Sequence, residues 1–341
     1  MFSLIQLPNL RWMPKTLTPH GTSTQLATDT TQEKVRFNMS VREDIRDVII
    51  ELLSQCHIPH YRTPYDGDLY DLCIQECKLK GYPIDKAHGK ASILKYIPCG
   101  VMNSCTGYAH LKNRSTLVFI AIYTAFLLWV DDTYTEHVKG VDTFHERFVT
   151  GQQQPNEALD GLARLLRETN LHYHGIQAHV ILTSTLNFIT SMLLDFETQG
   201  MAVSPHAKSY TTFLRVMTGI SEAYAMFTFP PEVPMKYYVH AIPELCLVIS
   251  YFNDVLSFYK EELVGESGNY ISTEANQRGE NKIPVLRALA HDVSICVSRV
   301  ANILEGSGEA EAAFQSFMGG YVSFHISLDS RYHLDDLFPS Q

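Results

Sequence analysis

Residues 117–132 read Leu117-Val118-Phe119-Ile120-Ala121-Ile122-Tyr123-Thr124-Ala125-Phe126-Leu127-Leu128-Trp129-Val130-Asp131-Asp132. From Leu117 to Val130 only Thr124 breaks the apolar run. The run falls short of the roughly 18 apolar residues that a membrane span needs, and it ends in two adjacent carboxylates. It therefore reads as the buried part of a long helix, expected over about 105–134, that carries Asp131 and Asp132 at its C-terminal end.

Working outward, the same helical spacing recurs. Val41, Ile45, Val48, Ile49, Leu52, Leu53 and Cys56 fall at i, i+4, i+7, i+8 and onward. A short helix is predicted near 68–80, inside a stretch containing Pro59, Pro64, Gly67, Gly81 and Pro83. Further helices are predicted over 156–172, 176–198, 207–228, 235–263, 281–305 and 309–328. The breaks between them hold Gly151 and Pro155, Gly200 and Pro205, Pro230, Pro231 and Pro234, and Gly265 and Gly268. Sustained period-2 alternation is nearly absent, so strands are not expected. Residues 1–38, rich in Thr, Pro, Gln and Ser, read as a loose arm, and residues 39–341 as one all-α domain.

Composition narrows the function. The 341 residues are 45% hydrophobic and 19% charged, a normal globular balance. Lysine and arginine less aspartate and glutamate give 27 − 37 = −10, which disfavours a nucleic-acid partner. An anionic substrate would need its own local cations or metal ions. The seven cysteines are scattered without a CxxC pair and read as reduced thiols. With no secretory leader pattern and no membrane span expected, a soluble, cytoplasmic protein is predicted.

Two carboxylate motifs carry the chemistry. The first is Asp131-Asp132 with Glu136. Adjacent carboxylates at a helix C-terminus repel each other and meet the unfavourable end of the dipole, so a hard divalent cation would suit them. The second is Asn253-Asp254-Val255-Leu256-Ser257-Phe258-Tyr259-Lys260-Glu261. Asn253, Ser257 and Glu261 are spaced i, i+4, i+8, which stacks an amide, a hydroxyl and a carboxylate on one helix face. Such a set can hold one Mg²⁺ and leave positions for phosphate oxygens, with Lys260 adding a positive charge beside it.

These motifs resemble those of class I terpene cyclases, in particular fungal sesquiterpene synthases of the trichodiene synthase-like group. The second motif matches NDxxSxxKE without a gap. Phe213-Leu214-Arg215, followed by Met217 and Gly219, resembles the helix that carries the diphosphate-sensing arginine and its helix break. Arg331-Tyr332 resembles the C-terminal Arg-Tyr pair. The likeness runs from about residue 100 to 336. It implies a single-domain helical bundle around a central apolar cavity, in which farnesyl diphosphate is held by three Mg²⁺ ions and cyclised with loss of inorganic diphosphate. By that likeness Asp131, Asp132 and Glu136 belong to the first metal group and Asn253, Ser257 and Glu261 to the second. Arg215, Lys260, Arg331 and Tyr332 would meet the diphosphate. One departure stands out: the third acid of the first motif is expected four residues after Asp131, where this chain has Thr135, with Glu136 one further on.

Tyr123, Phe126 and Leu127 lie one or two turns before Asp131 and are expected on the cavity wall, with Phe188 and Tyr251 as weaker candidates. The product is expected to derive from a bisabolyl cation or from a humulene-type closure. Two other readings remain open. A prenyl-chain-elongating transferase would use two aspartate-rich motifs. A non-catalytic prenyl-lipid binder would not need the full metal set. A homodimer is implied by family likeness alone.

Overall fold

The computed structural model describes residues 26–204 and 206–338, and among them there is helix, turn and loop but no strand. The helices run α1 Leu26–Gln55, α2 Gly67–Lys80, α3 Ile97–Gly107, α4 Arg114–Thr133, α5 Val138–Asp142, α6 Phe144–Thr150 and α7 Glu157–Arg167. They continue as α8 Ile176–Glu197, α9 Tyr210–Thr218, α10 Ser221–Thr228, α11 Ile242–Val264, α12 Tyr270–Arg278, α13 Lys282–Leu304, α14 Glu309–Ser327 and α15 Asp329–Tyr332.

The expected arm, residues 1–38, needs a different description. Its first 25 residues lie outside the described part, while residues 26–38 belong to α1. No proline or glycine interrupts Leu26–Gln55, so the chain can stay helical. Without an apolar stripe, that first part of the helix leaves no period to read in the sequence.

The predicted helix over 105–134 is two helices. A loop after Gly107 separates α3 from α4, and Asn113 caps α4 by accepting a hydrogen bond from the Ser115 amide at 3.0 Å. Every residue of α4 from Thr116 to Val130 is buried. Burying one large aliphatic or aromatic side chain contributes about 1.5–3 kcal/mol, so this helix anchors the core.

α3 lies between α4 and α14 and approaches both backbone to backbone. A Cβ on Gly100 would stand 2.1 Å from the Ala121 carbonyl oxygen, and one on Gly320 would stand 2.0 Å from that of Thr106. No side chain fits at either contact. On the other side of the bundle α11 packs against α10 and α13, and α1 crosses α13.

The membrane expectation also needs qualification. Three stretches, Arg114–Glu136, Ile176–Glu197 and Val239–Val264, are long and apolar enough to cross a membrane by length and composition. In the first and third, 83% of the apolar window is buried inside the protein; in the second, 39% is. The hydropathy of α4 and α11 is thus spent on the core of the bundle.

Candidate active site

The site lies where four segments meet: the end of α4, the middle of α11, the junction of α9 with α10, and α15. α4 ends with no basic residue in its last turn and passes directly into a 3₁₀ turn, Tyr134–Glu136. Asp131 therefore faces the helix dipole without a local cation on its own helix. One of its carboxylate oxygens, Oδ2, is buried and has no hydrogen-bond partner. Burial, and then the neighbouring charge of Asp132, push the Asp131 carboxyl well above the usual carboxylate range, while Arg331 and Lys260 pull the other way. Asp132 is half-buried and pairs with Lys95 at 3.8 Å.

α11 presents the second motif from inside the bundle. Asn253, Ser257, Lys260 and Glu261 are all buried. Ser257 Oγ donates to Glu261 Oε1 at 2.6 Å, so these two groups already face one another one turn apart. Burial pushes the Glu261 carboxyl up, opposed by the adjacent Lys260. Burial and the Arg331 charge push the Lys260 ammonium down. The Lys260 ammonium lies 5.4 Å from the centre of the Tyr332 ring, so α15 is placed over the same end of α11.

The Arg215 guanidinium, on α9, is buried and bonded to α11 through its Nε and Nη2. Its Nε donates to both oxygens of Asp254, at 2.8 and 2.9 Å, and its Nη2 donates to Asn253 Oδ1 and to the Ser250 carbonyl, each at 3.1 Å. Burial works against the charge, but Asp254 outweighs it and the guanidinium pKa goes up. Just beyond Arg215 the helix breaks. Ile220 adopts φ 51° and ψ 27°, a left-handed conformation that is costly for a β-branched residue. The Ser221 hydroxyl accepts from Ser250 Oγ at 3.0 Å, tying the start of α10 to α11.

A narrow cleft runs between α4, α8 and the α9–α10 junction, lined by Leu127, Asp131, Phe188, Thr218 and Ile220, with almost no room for a water-sized sphere. Closed in this way it falls far below the several hundred Å³ typical of ligand pockets. An aromatic group is shared between α4 and α10. Phe227 meets Tyr123, Tyr224 and Phe119 edge to face, at centroid distances of 5.1, 5.7 and 6.1 Å.

Asp131 and Leu127 thus stand together on the cleft, with Arg331 and Lys260 close enough to bias the Asp131 charge. Tyr123 lies in the aromatic group and is hydrogen-bonded to Thr185 through its hydroxyl at 2.6 Å. Phe126 departs from expectation. It packs edge-on against Tyr82 at 5.2 Å, and a Cβ on Gly161 would touch its Cζ at 2.6 Å. One residue along a helix turns the side chain by about 100°, so Phe126 and Leu127 serve different faces. Glu136 also departs from the expected metal group. It is half-exposed and paired with Lys90 at 2.5 Å, which holds its carboxyl below the usual range.

Thr218, Ile220 and Asp254 are parts of the site that motif reading did not assign. The helix break at Gly219 was the signal available for the first two, and Asp254 lies inside the second motif. Among the described residues no three of His, Cys, Asp and Glu converge on one point. The oxygen chemistry of Asn253, Ser257 and Glu261, together with the unpartnered buried oxygen of Asp131, fits Mg²⁺.

Comparison with known proteins agrees with this geometry. The profile of the trichodiene synthase family matches residues 99–341. The chain is 34% identical over 295 residues to alpha-cuprenene synthase of Coprinopsis cinerea, covering 86% of this chain and 90% of that one. It is 33% identical to a monoterpene synthase of Postia placenta, covering 86% of each, and 32% identical to longiborneol synthase of Gibberella zeae, covering 81% and 82%. Among solved structures, hedycaryol synthase in complex with nerolidol has the same fold, with a TM-score of 0.58, 12% identity, and coverage of 79% of this chain and 99% of that one. Linalool/nerolidol synthase from Streptomyces clavuligerus gives 0.57 at 11% identity, covering 79% and 98%. From the helical bundle, the two facing motifs and these relatives together, the chain belongs to the trichodiene synthase family of fungal class I terpene synthases.

Proposed function

We propose that this enzyme is a Mg²⁺-dependent sesquiterpene synthase. It ionises farnesyl diphosphate, closes the C15 cation to a cyclic product and releases inorganic diphosphate. The observation that carries this reading is the Asp131 carboxylate, buried with an unpartnered oxygen, within the fields of Arg331 and Lys260 at the end of an apolar cleft.

Asp131 and Asp132 would hold metal on one side of the diphosphate, and Asn253, Ser257 and Glu261 on the other. When bound, Mg²⁺, three ions by family likeness, neutralises the leaving diphosphate as its charge develops. Arg215 and Arg331 would donate to the phosphate oxygens, with Tyr332 assisting, while Lys260 acts as a point charge. Leu127, Phe188 and Ile220 would shape the chain and exclude water from the cation. The faces of Tyr123, Tyr224 and Phe227 can each stabilise a passing cation by about 0.5–2 kcal/mol. The C1–O bond breaks with its electron pair on diphosphate. Ring closure then consumes a chain double bond, and proton loss or capture of water ends the sequence. Isomerisation of the allylic system followed by 1,6-closure to a bisabolyl cation is the reading adopted, with 1,11-closure as the competitor. The relatives named for alpha-cuprenene and longiborneol support a cyclase. A cytoplasmic location belongs to the same proposal, supported by seven free cysteines.

The test is incubation of the purified chain with farnesyl diphosphate, with and without Mg²⁺, and product analysis by gas chromatography–mass spectrometry. A cyclic C15 product that requires Mg²⁺ is expected. Turnover of geranyl diphosphate alone would change the substrate. Release of diphosphate only with added isopentenyl diphosphate would indicate chain elongation. Prenyl-diphosphate binding without any turnover would indicate a binder.

A further inference from the structure

His325, on α14, belongs to none of the sequence motifs, yet it is fully buried and touches one of the proposed metal ligands. Its Nε2 lies 3.1 Å from Asn253 Nδ2, and its Nδ1 lies 2.8 Å from the Tyr321 carbonyl oxygen. The ring is wedged among Tyr332, Tyr321 and Phe324, at centroid distances of 4.5, 4.8 and 5.0 Å.

The hydrogen-bond roles in this contact are fixed by chemistry. A guanidinium can only donate, so the Asn253 atom 3.1 Å from Arg215 Nη2 must be the amide oxygen. The amide nitrogen then faces His325. That nitrogen can also only donate, so Nε2 must accept with its lone pair. A carbonyl can only accept, so the single ring proton sits on Nδ1 and goes to Tyr321. Each assignment requires the next, and an amide flip would leave a donor facing a donor at Arg215.

We propose that His325 is a positioning residue: its bare Nε2 holds the Asn253 amide nitrogen and so keeps the amide oxygen, the end able to bind Mg²⁺, turned away toward Arg215. A side-chain amide has one end that can bind Mg²⁺ and one that cannot. On α11 alone nothing distinguishes the two ends. Arg215 on α9 marks the oxygen end, and the imidazole on α14 takes the nitrogen end, before metal arrives. The inference rests on the reading of Asn253 as a metal ligand.

The test measures Mg²⁺ binding to the protein in the presence of inorganic diphosphate, by calorimetry and by the shift in melting temperature, with no turnover involved. His325→Leu, which removes the acceptor, is expected to weaken Mg²⁺ binding about tenfold, the usual scale for groups that orient ligands. His325→Gln, which can place an oxygen where Nε2 stands, is expected to recover most of that loss; a purely structural histidine would not be rescued in this way. In an Asn253→Asp background both ligand ends are oxygens, so adding His325→Leu should produce no further loss. If His325→Leu does not fold, His325→Gln and His325→Asn carry the comparison, the shorter Asn failing to reach.

Wild-type binding in His325→Leu, or an equal loss in the Asn253→Asp background, overturns the positioning role. Asn253→Ala separates the two levels of the argument. Unchanged Mg²⁺ binding there removes Asn253 from the metal site, and the role of His325 falls with it. Weakened binding in Asn253→Ala beside normal binding in His325→Leu sinks the histidine alone.

Discussion

The Arg215 guanidinium and the Gly219 backbone touch so closely that a Cβ on Gly219 would stand 2.9 Å from Arg215 Nη1, and 3.0 Å from Ser250 Oγ. The arginine is thus held from below by the turn that ends its own helix. The methyl of Gly219→Ala would press on Nη1 and on the Arg215 carbonyl oxygen, also 2.9 Å away, and should shift the guanidinium against Asp254 and Asn253. Overpacking of this kind costs about 1–3 kcal/mol, visible as a lower melting temperature. A misplaced arginine near the reacting centre should reduce kcat by about a hundredfold. Circular dichroism and steady-state kinetics on the one variant check both, and near-normal kcat would show that Arg215 does not act from this position.

Asp131 and Glu136 should separate in the opposite manner to their grouping in the sequence. Asp131→Asn removes a buried carboxylate that has an unpartnered oxygen and an acidic neighbour. The metal-free protein should keep or raise its melting temperature, because an unpaired buried charge is costly, while turnover should fall about 10²–10³-fold. Glu136→Gln loses only a half-exposed pair with Lys90, and its Mg²⁺ dependence should stay within about twofold of wild type. A large Mg²⁺ defect in Glu136→Gln would return that residue to the metal group.

Phe126 and Leu127 offer a second contrast between neighbours. Leu127→Ala enlarges the cleft and should alter the ratio of products. Phe126→Leu loosens the contacts with Tyr82 and Gly161, costing about 1–3 kcal/mol in lost burial and cavity while leaving the product ratio unchanged. Gas chromatography of both variants, beside their melting curves, decides the point; a new product profile from Phe126→Leu would place that ring on the substrate.

Asp66 governs a stability change with pH far from the chemistry. It accepts from the Leu69 amide at 2.8 Å, capping α2, and from Arg114 at 2.8 and 2.9 Å. The Arg114 hydrogen bond is the largest cause holding its carboxyl below the ordinary 3.8. With the folded pKa depressed, the unfolded chain takes up the proton first as pH falls. The contribution of Asp66 is therefore complete above about pH 4 and lost as pH falls through the lower folded value. Asp66→Ala should cost about 1 kcal/mol at neutral pH, and the difference from wild type should shrink in acid. A difference that does not depend on pH would mean that the charge plays no part.

Much of this was legible in the sequence because it depends on spacing. Asn253, Ser257 and Glu261 share a helix face by arithmetic, and the apolar run before Asp131 had to be buried. The remainder depends on where helices cross. Phe126 and Leu127 are equally apolar, and only the position of α7 and of the cleft distinguishes them. His325 lies 72 residues from Asn253, in a helix whose pattern reads as ordinary core. The loop between α3 and α4, residues 108–113, holds no proline or glycine of its own, so its cap at Asn113 was masked by the long apolar run that followed.

The glycine contacts of α3 also determine how the enzyme can admit a substrate larger than its cleft. With Gly100 against α4 and Gly320 against α14, sliding α3 sideways would drive backbone into backbone. α4, which brings Leu127 and Asp131 to the cleft, is fixed by that contact, so compliance must come from Thr218 and the left-handed Ile220, which line the same space. One half of the molecule behaves as an anvil and the other as the adjustable jaw, so substitutions that retune substrate size should accumulate around the α9–α10 junction and spare α3.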